Sequence, residues 1–149
     1  MIYQSLNHLS KPVDFEIAVL NGIAPDRGLY FPSEIKTLPN KIINEIEKLS
    51  ITEISYHSIK NFVGESIPKN KLISIIDETL DFNFPLVKID ENIFSLELFH
   101  GPTLAFKDIG ARFMARSLGY FNRNSNDIIT VLVATSGDTG GAVADGFYN

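Results

Sequence analysis

Residues 128–144 read IITVLVATSGDTGGAVA. Ile128 to Thr135 form an unbroken apolar, β-branched run, the composition of a strand covered on both faces by helices rather than one with a wet side. The glycines that follow permit a tight turn, and Ala142-Val143-Ala144 resumes as the start of a helix. Strand, glycine turn and helix make the repeating unit of an α/β domain, so 128–135 is predicted to be an interior strand of a parallel sheet. Such a turn has a direct chemical use. The first N–H groups of a helix have no partner inside it and point outward, where a carboxylate or phosphate fits them. Glycine-rich turns without a ligand are common connectors as well, and this one is neither a Walker loop nor a GxGxxG fingerprint, which lowers nucleotide binding in rank.

Upstream, Asn122 to Asp127 reads as a polar loop, and before it stands HGPTLAFKDIGARFMA, residues 100–115. Ile109, Phe113, Met114, Leu118 and Phe121 recur at helical spacing, predicting a helix that begins just after Lys107 and sets this lysine at a loop-to-helix junction. Lys107 follows the apolar Leu104-Ala105-Phe106 and precedes Asp108. Burial there would disfavour its ammonium form and lower its pKa, as a Schiff-base lysine requires, whereas the ordinary alternative is a lysine that snorkels to solvent or pairs with Asp108. Composition alone does not choose between them. Arg112 and Arg116, one helical turn apart, read as an exposed helix face rather than a phosphate site. His100 reads as a structural hydrogen-bonder, with proton transfer as its alternative role.

Further back, LVKI (86–89) and IFSLEL (93–98) flank Asp90-Glu91-Asn92 and predict a β-hairpin. The first eighty residues are helix-rich. Asn40 is placed as the cap of a helix with Ile42, Ile43, Ile46 and Leu49 on one side; a second helix runs from about Thr52 to Val63 and stops at Gly64; a third opens at Pro68 and turns Leu72, Ile75, Ile76 and Leu80 inward. AVLNGIAPDRGLYFP (18–32), with two glycines and two prolines, reads as a structural loop leading into Leu29, Tyr30 and Phe31.

The 149 residues are 44% hydrophobic and 21% charged, an ordinary globular composition. A net charge of −5 without a basic block argues against nucleic acid or an acidic membrane surface as a partner. The chain has no cysteine, which excludes disulfides and Cys-based zinc sites and leaves the cytoplasm as the default compartment. The N-terminal residues lack the pattern of a secretory leader, and no apolar run reaches the roughly 18–20 residues of a membrane helix.

HGPTLAFKDIGARFMA resembles the cofactor-lysine motif of the fold-type II pyridoxal-phosphate enzymes, and ATSGDTGGAVA (134–144) resembles their second signature. Within that superfamily the wording is similar to threonine synthases, and GIAPDRGLYFP (22–32) is similar to their N-terminal segment, except that relatives usually have Gly at the position of Arg27. The resemblance implies an α/β protein: an N-terminal α+β subdomain over residues 1–82, then, over 83–149, the start of a three-layer αβα catalytic domain with a parallel sheet. It implies pyridoxal 5'-phosphate as cofactor, held by Lys107 as a Schiff base, and conversion of O-phosphohomoserine and water to threonine and phosphate. Lys107 would also move protons between substrate carbons. Ser136, Gly137, Thr139 and Gly140 would receive the substrate carboxylate, Thr139 would reach its phosphate, and Asp138 would meet the cofactor ring. Many relatives outside the threonine synthases carry Asn at the position of Asp138, and an Asp donates a hydrogen bond only when protonated. The chain stops just inside a predicted helix and lacks a cofactor-phosphate loop, so it reads as part of a longer protein, inactive alone. A serine/threonine dehydratase-like enzyme and a non-catalytic anion-binding module on the same scaffold are the competing readings. Oligomeric state is not legible.

Overall fold

Asp14 starts the first helix: its carboxylate accepts the N–H of Ile17 at 2.9 Å, and Gly22, at φ 67°, ends it by returning its N–H to Ala18. This is α1, Phe15–Asn21. Its second half, from Ala18 on, lies in the stretch read as a loop, because a seven-residue helix between a capping Asp and a terminating Gly leaves little periodicity to detect. The computed structural model describes residues 1–126 and 128–148 and divides the chain into two units, Met1–Ile76 and Asp77–Asn149.

In the first unit, β1 (Tyr3–Ser5) pairs antiparallel with β2 (Tyr30–Pro32), and Tyr3 also bridges to Val13. The turn between them carries Arg27 at φ 66°, in the left-handed region where glycine is at ease. Gly28 packs so closely that a Cβ there would collide with Ser5 Oγ. The helix expected from Asn40 to Leu49 is shorter and broken: α2 spans Asn40–Asn44, with Pro39 rather than Asn40 at its cap, and a 3₁₀ turn follows over Ile46–Lys48. Asn40 makes no cap because Pro39 already lies outside the helix and the chain enters one residue earlier than predicted. Next, α3 (Ile51–Val63) opens with a capping box in which Ser50 and Glu53 satisfy each other's backbone N–H, and ends at Gly64, φ 63°. In α4 (Lys69–Thr79), Leu72, Ile75 and Ile76 are buried as the spacing predicts and Leu80 just beyond is half-buried. Tyr3, Val63 and Ile67 are buried too, and the Tyr3 hydroxyl donates to the Phe62 carbonyl at 2.9 Å.

The second unit opens with the predicted hairpin, β3 (Leu86–Asp90) against β4 (Ile93–Leu96), whose register shifts between Lys88 and Asp90. Two helices follow, α5 (Asp108–Asn122) and α6 (Asp138–Gly146), packed on one another. Their contact uses small residues. A Cβ on Gly146 would come 3.1 Å from the Ala111 carbonyl oxygen and 3.5 Å from Ala115 Cβ, and Ala111, Ala142 and Val143 form the buried seam.

Several expectations differ from what is seen here. The large apolar face predicted for α5 is half-buried or exposed, and Asp108, Ala111, Arg112, Ala115 and Ser117 are buried in its place; α6 packs on the side that carries Ala111 and Ala115. Arg112 is thus not an exposed helix residue: it donates to the Glu78 carbonyl and to Asp81, each at 2.8 Å. Residues 128–135 form no strand; a strand needs ladder partners for its N–H and C=O groups, and among the described residues both sheets are two-stranded and antiparallel. The predicted polar loop is shortened, since α5 runs through Asn122; Asp127, within it, and Asn149, at the predicted final helix's end, lie outside the described residues. No described helix is long and apolar enough to cross a membrane.

Candidate active site

Lys107 occupies the cap position of α5, and its carbonyl accepts the Ala111 N–H at 2.9 Å, so the side chain leaves at the junction where loop becomes helix. It is half-buried, with Nζ 5.5 Å from the centre of the Phe106 ring. The loop before it is closely folded. Leu104 donates to Gly101 and Asp108 to Ala105, both at 3.1 Å, and Leu104 is held at φ 58°. Asp108, which sequence reading set beside Lys107 as a possible ion-pair partner, turns away from that role: one oxygen accepts the Thr103 N–H at 3.0 Å and the other accepts the Thr103 hydroxyl.

Lys107 opens onto a cleft of about 510 Å³ that it shares with Leu98, Phe106, Ile109, Met114 and Thr139. Thr139 comes from the first turn of α6, so the cleft joins the lysine motif to the glycine turn. The other candidates, Ser136, Gly137, Asp138 and Gly140, belong to that turn but do not line the cleft; the first three are exposed and Gly140 is half-buried. Gly137 has φ 124°, which only glycine takes readily. Thr135 was not singled out from the sequence, yet its hydroxyl accepts the N–H groups of both Gly137 (3.2 Å) and Gly140 (3.0 Å) and shapes the turn. A hydroxyl residue immediately before a glycine turn is the signal that could have found it. His100 lies outside the cleft lining, bonded to Glu97 at 2.7 Å and stacked on Phe99.

An apolar cleft with one amine and one hydroxyl is a fitting receptacle for a flat, polar-edged ring. Residues 2–80 match the family model described as threonine synthase N terminus. The chain belongs to the threonine synthase family. It is 44% identical over 144 residues to threonine synthase from Haemophilus influenzae, covering 97% of this chain and 33% of that protein. Its fold aligns with the crystal structure of threonine synthase from Escherichia coli at a TM-score of 0.91 and 38% identity, covering 99% of this chain and 34% of that one. With the structure of PLP-bound threonine synthase from Brucella melitensis the TM-score is 0.92 at 37% identity, over 99% and 33% of the two chains. The chain thus spans about a third of the length of the relatives it matches.

Proposed function

We propose that this chain is the N-terminal part of a threonine synthase that converts O-phosphohomoserine and water to threonine and phosphate with pyridoxal 5'-phosphate. The observation that carries the proposal is the shared cleft, which Lys107 and Thr139 of the glycine turn both line. When bound, the cofactor would supply an electron sink for charge developing on the substrate carbons. Lys107 would anchor it through Nζ and, once released by the substrate amine, take and return protons at that same atom. Ser136, Gly137, Thr139 and Gly140 would hold the substrate carboxylate, with Thr139 reaching toward its phosphate, and Asp138 would meet the ring from the start of α6.

In this reading residues 1–82 form the N-terminal subdomain and 83–149 begin a fold-type II three-layer αβα domain whose sheet takes 128–135 as an inner strand. The exposed side chains of Ile128 and Leu132 support that assignment, since apolar β-branched runs are seldom left bare without a partner to cover them. The proposed compartment is the cytoplasm, and the isolated chain is expected to turn over no substrate.

The test is to incubate the chain with pyridoxal phosphate, reduce with borohydride and map the labelled peptides. Lys107 is expected to carry label well above other exposed lysines, and Lys107→Ala to lose that peptide's label alone; equal labelling of every lysine would count against the site.

A further inference from the structure

Among the described residues the chain buries one carboxylate, to which the proposed chemistry assigns no part. Asp108 is 0% exposed, and burying an ionisable group is costly unless its oxygens are met by donors. Both donors come from a single residue five positions back, the N–H and hydroxyl of Thr103. The bonds close a ring over 103–108 that contains Lys107, and two further features tighten it. A Cβ on Gly101 would collide with Asp108 Oδ2, so the loop's first residue is pressed against the same carboxylate. Leu104 is held in the left-handed backbone region, a conformation that costs about 1 kcal/mol or more and persists only where surrounding contacts impose it. The ring also meets the glycine turn, because a Cβ on Gly141 would lie 3.9 Å from Thr103 Cβ.

We propose that Asp108 and Thr103 are positioning residues: their paired hydrogen bonds fix the backbone at Lys107 and thereby hold its side chain at the cleft it shares with Thr139. The inference rests on the reading of Lys107 as the cofactor lysine. Neither residue lines the cleft; Asp108 acts through the backbone it ties down, and its place in the first turn of α5 adds a favourable interaction with the helix dipole. A side chain on a frayed loop would sample many directions, and misplacing a reacting group by about 1 Å can cost on the order of 100-fold in rate.

The test compares pyridoxal-phosphate labelling of Lys107, after borohydride reduction, in the wild-type chain, Thr103→Val and Thr103→Ser. Valine keeps the volume and the N–H but removes the hydroxyl; serine restores it. Labelling at Lys107, normalised to the exposed Lys36, is expected to fall on the order of tenfold in Thr103→Val and to recover in Thr103→Ser. Unchanged labelling in a folded Thr103→Val chain overturns the positioning role and leaves the cofactor lysine standing. If wild-type Lys107 labels no better than Lys36, the cofactor reading fails and this inference falls with it. Hydrogen exchange of the wild-type chain gives a measurement independent of any variant's folding: the Thr103 amide is expected to exchange as slowly as the interior of α5, and exchange at an open-loop rate would overturn the closed ring.

Discussion

Asp26 shows how much one side chain in a turn can organise. Its carboxylate accepts from Ser5 Oγ at 2.6 Å and from the N–H groups of Gly28 and Leu9, each at 2.9 Å, and these bonds, the one from Ser5 foremost, lower its pKa from 3.8 to about 2. A carboxyl depressed in the folded state stabilises the fold above its unfolded value, and that contribution disappears as pH falls from about 4 through about 2. Asp26→Asn is therefore expected to melt at lower temperature than wild type at pH 6, with the gap closing toward pH 2. Thermal melts across that range check it, and a gap independent of pH would assign the loss to shape rather than charge. Sequence reading found this turn but not its carboxylate hub, because the donors come from residues 5, 9 and 28, far apart along the chain. Lys107 and Thr139 could be singled out from the sequence because each sits in a dense motif. Thr135 and the inward turn of Asp108 were not, since both depend on where a loop folds back.

Among the elements, helices long enough to repeat their apolar spacing between end signals were readable, and short or broken ones were not. Ser50 with Glu53 and the glycine at 64 bracket α3 closely, whereas α1 was lost inside a turn-rich segment and the run from Asn40 broke in two. The pairing of α5 with α6 was missed for a different reason: the eye follows large apolar residues, and this seam is built from Ala111, Ala115, Ala142 and Gly146. Because a Cβ on Gly146 would already lie 3.1 Å from the Ala111 carbonyl oxygen, a branched side chain there forces the helices apart. Gly146→Val is expected to destabilise the chain by about 1–3 kcal/mol, the usual range for overpacking a close contact, read as a lower denaturant midpoint. Gly119→Val, at a glycine with open space around it, serves as the comparison, and equal losses in the two would mean that helix propensity rather than the seam is responsible.

At the scale of the whole molecule, the mixed α/β class was legible and the sheet was not, for a physical reason centred on residues 128–135. Their composition states what a strand needs, two covered faces, and among the described residues only one is partly covered: Ile128 is 93% and Leu132 90% exposed, whereas the alternate side chains Ile129, Val131 and Val133 are 41%, 38% and 42% exposed. The pattern thus reports an environment that the proposed three-layer domain would supply from further strands and helices. In this chain the two side chains should contribute almost nothing to stability while offering a sticky surface. The double variant Ile128→Lys, Leu132→Lys is expected to keep the wild-type melting transition within about 0.5 kcal/mol, the usual scale for surface substitutions, and to bind less of a hydrophobic fluorescent dye. A fall of several kcal/mol would show that both residues are already packed, and the strand would then be formed without the neighbours its sequence calls for.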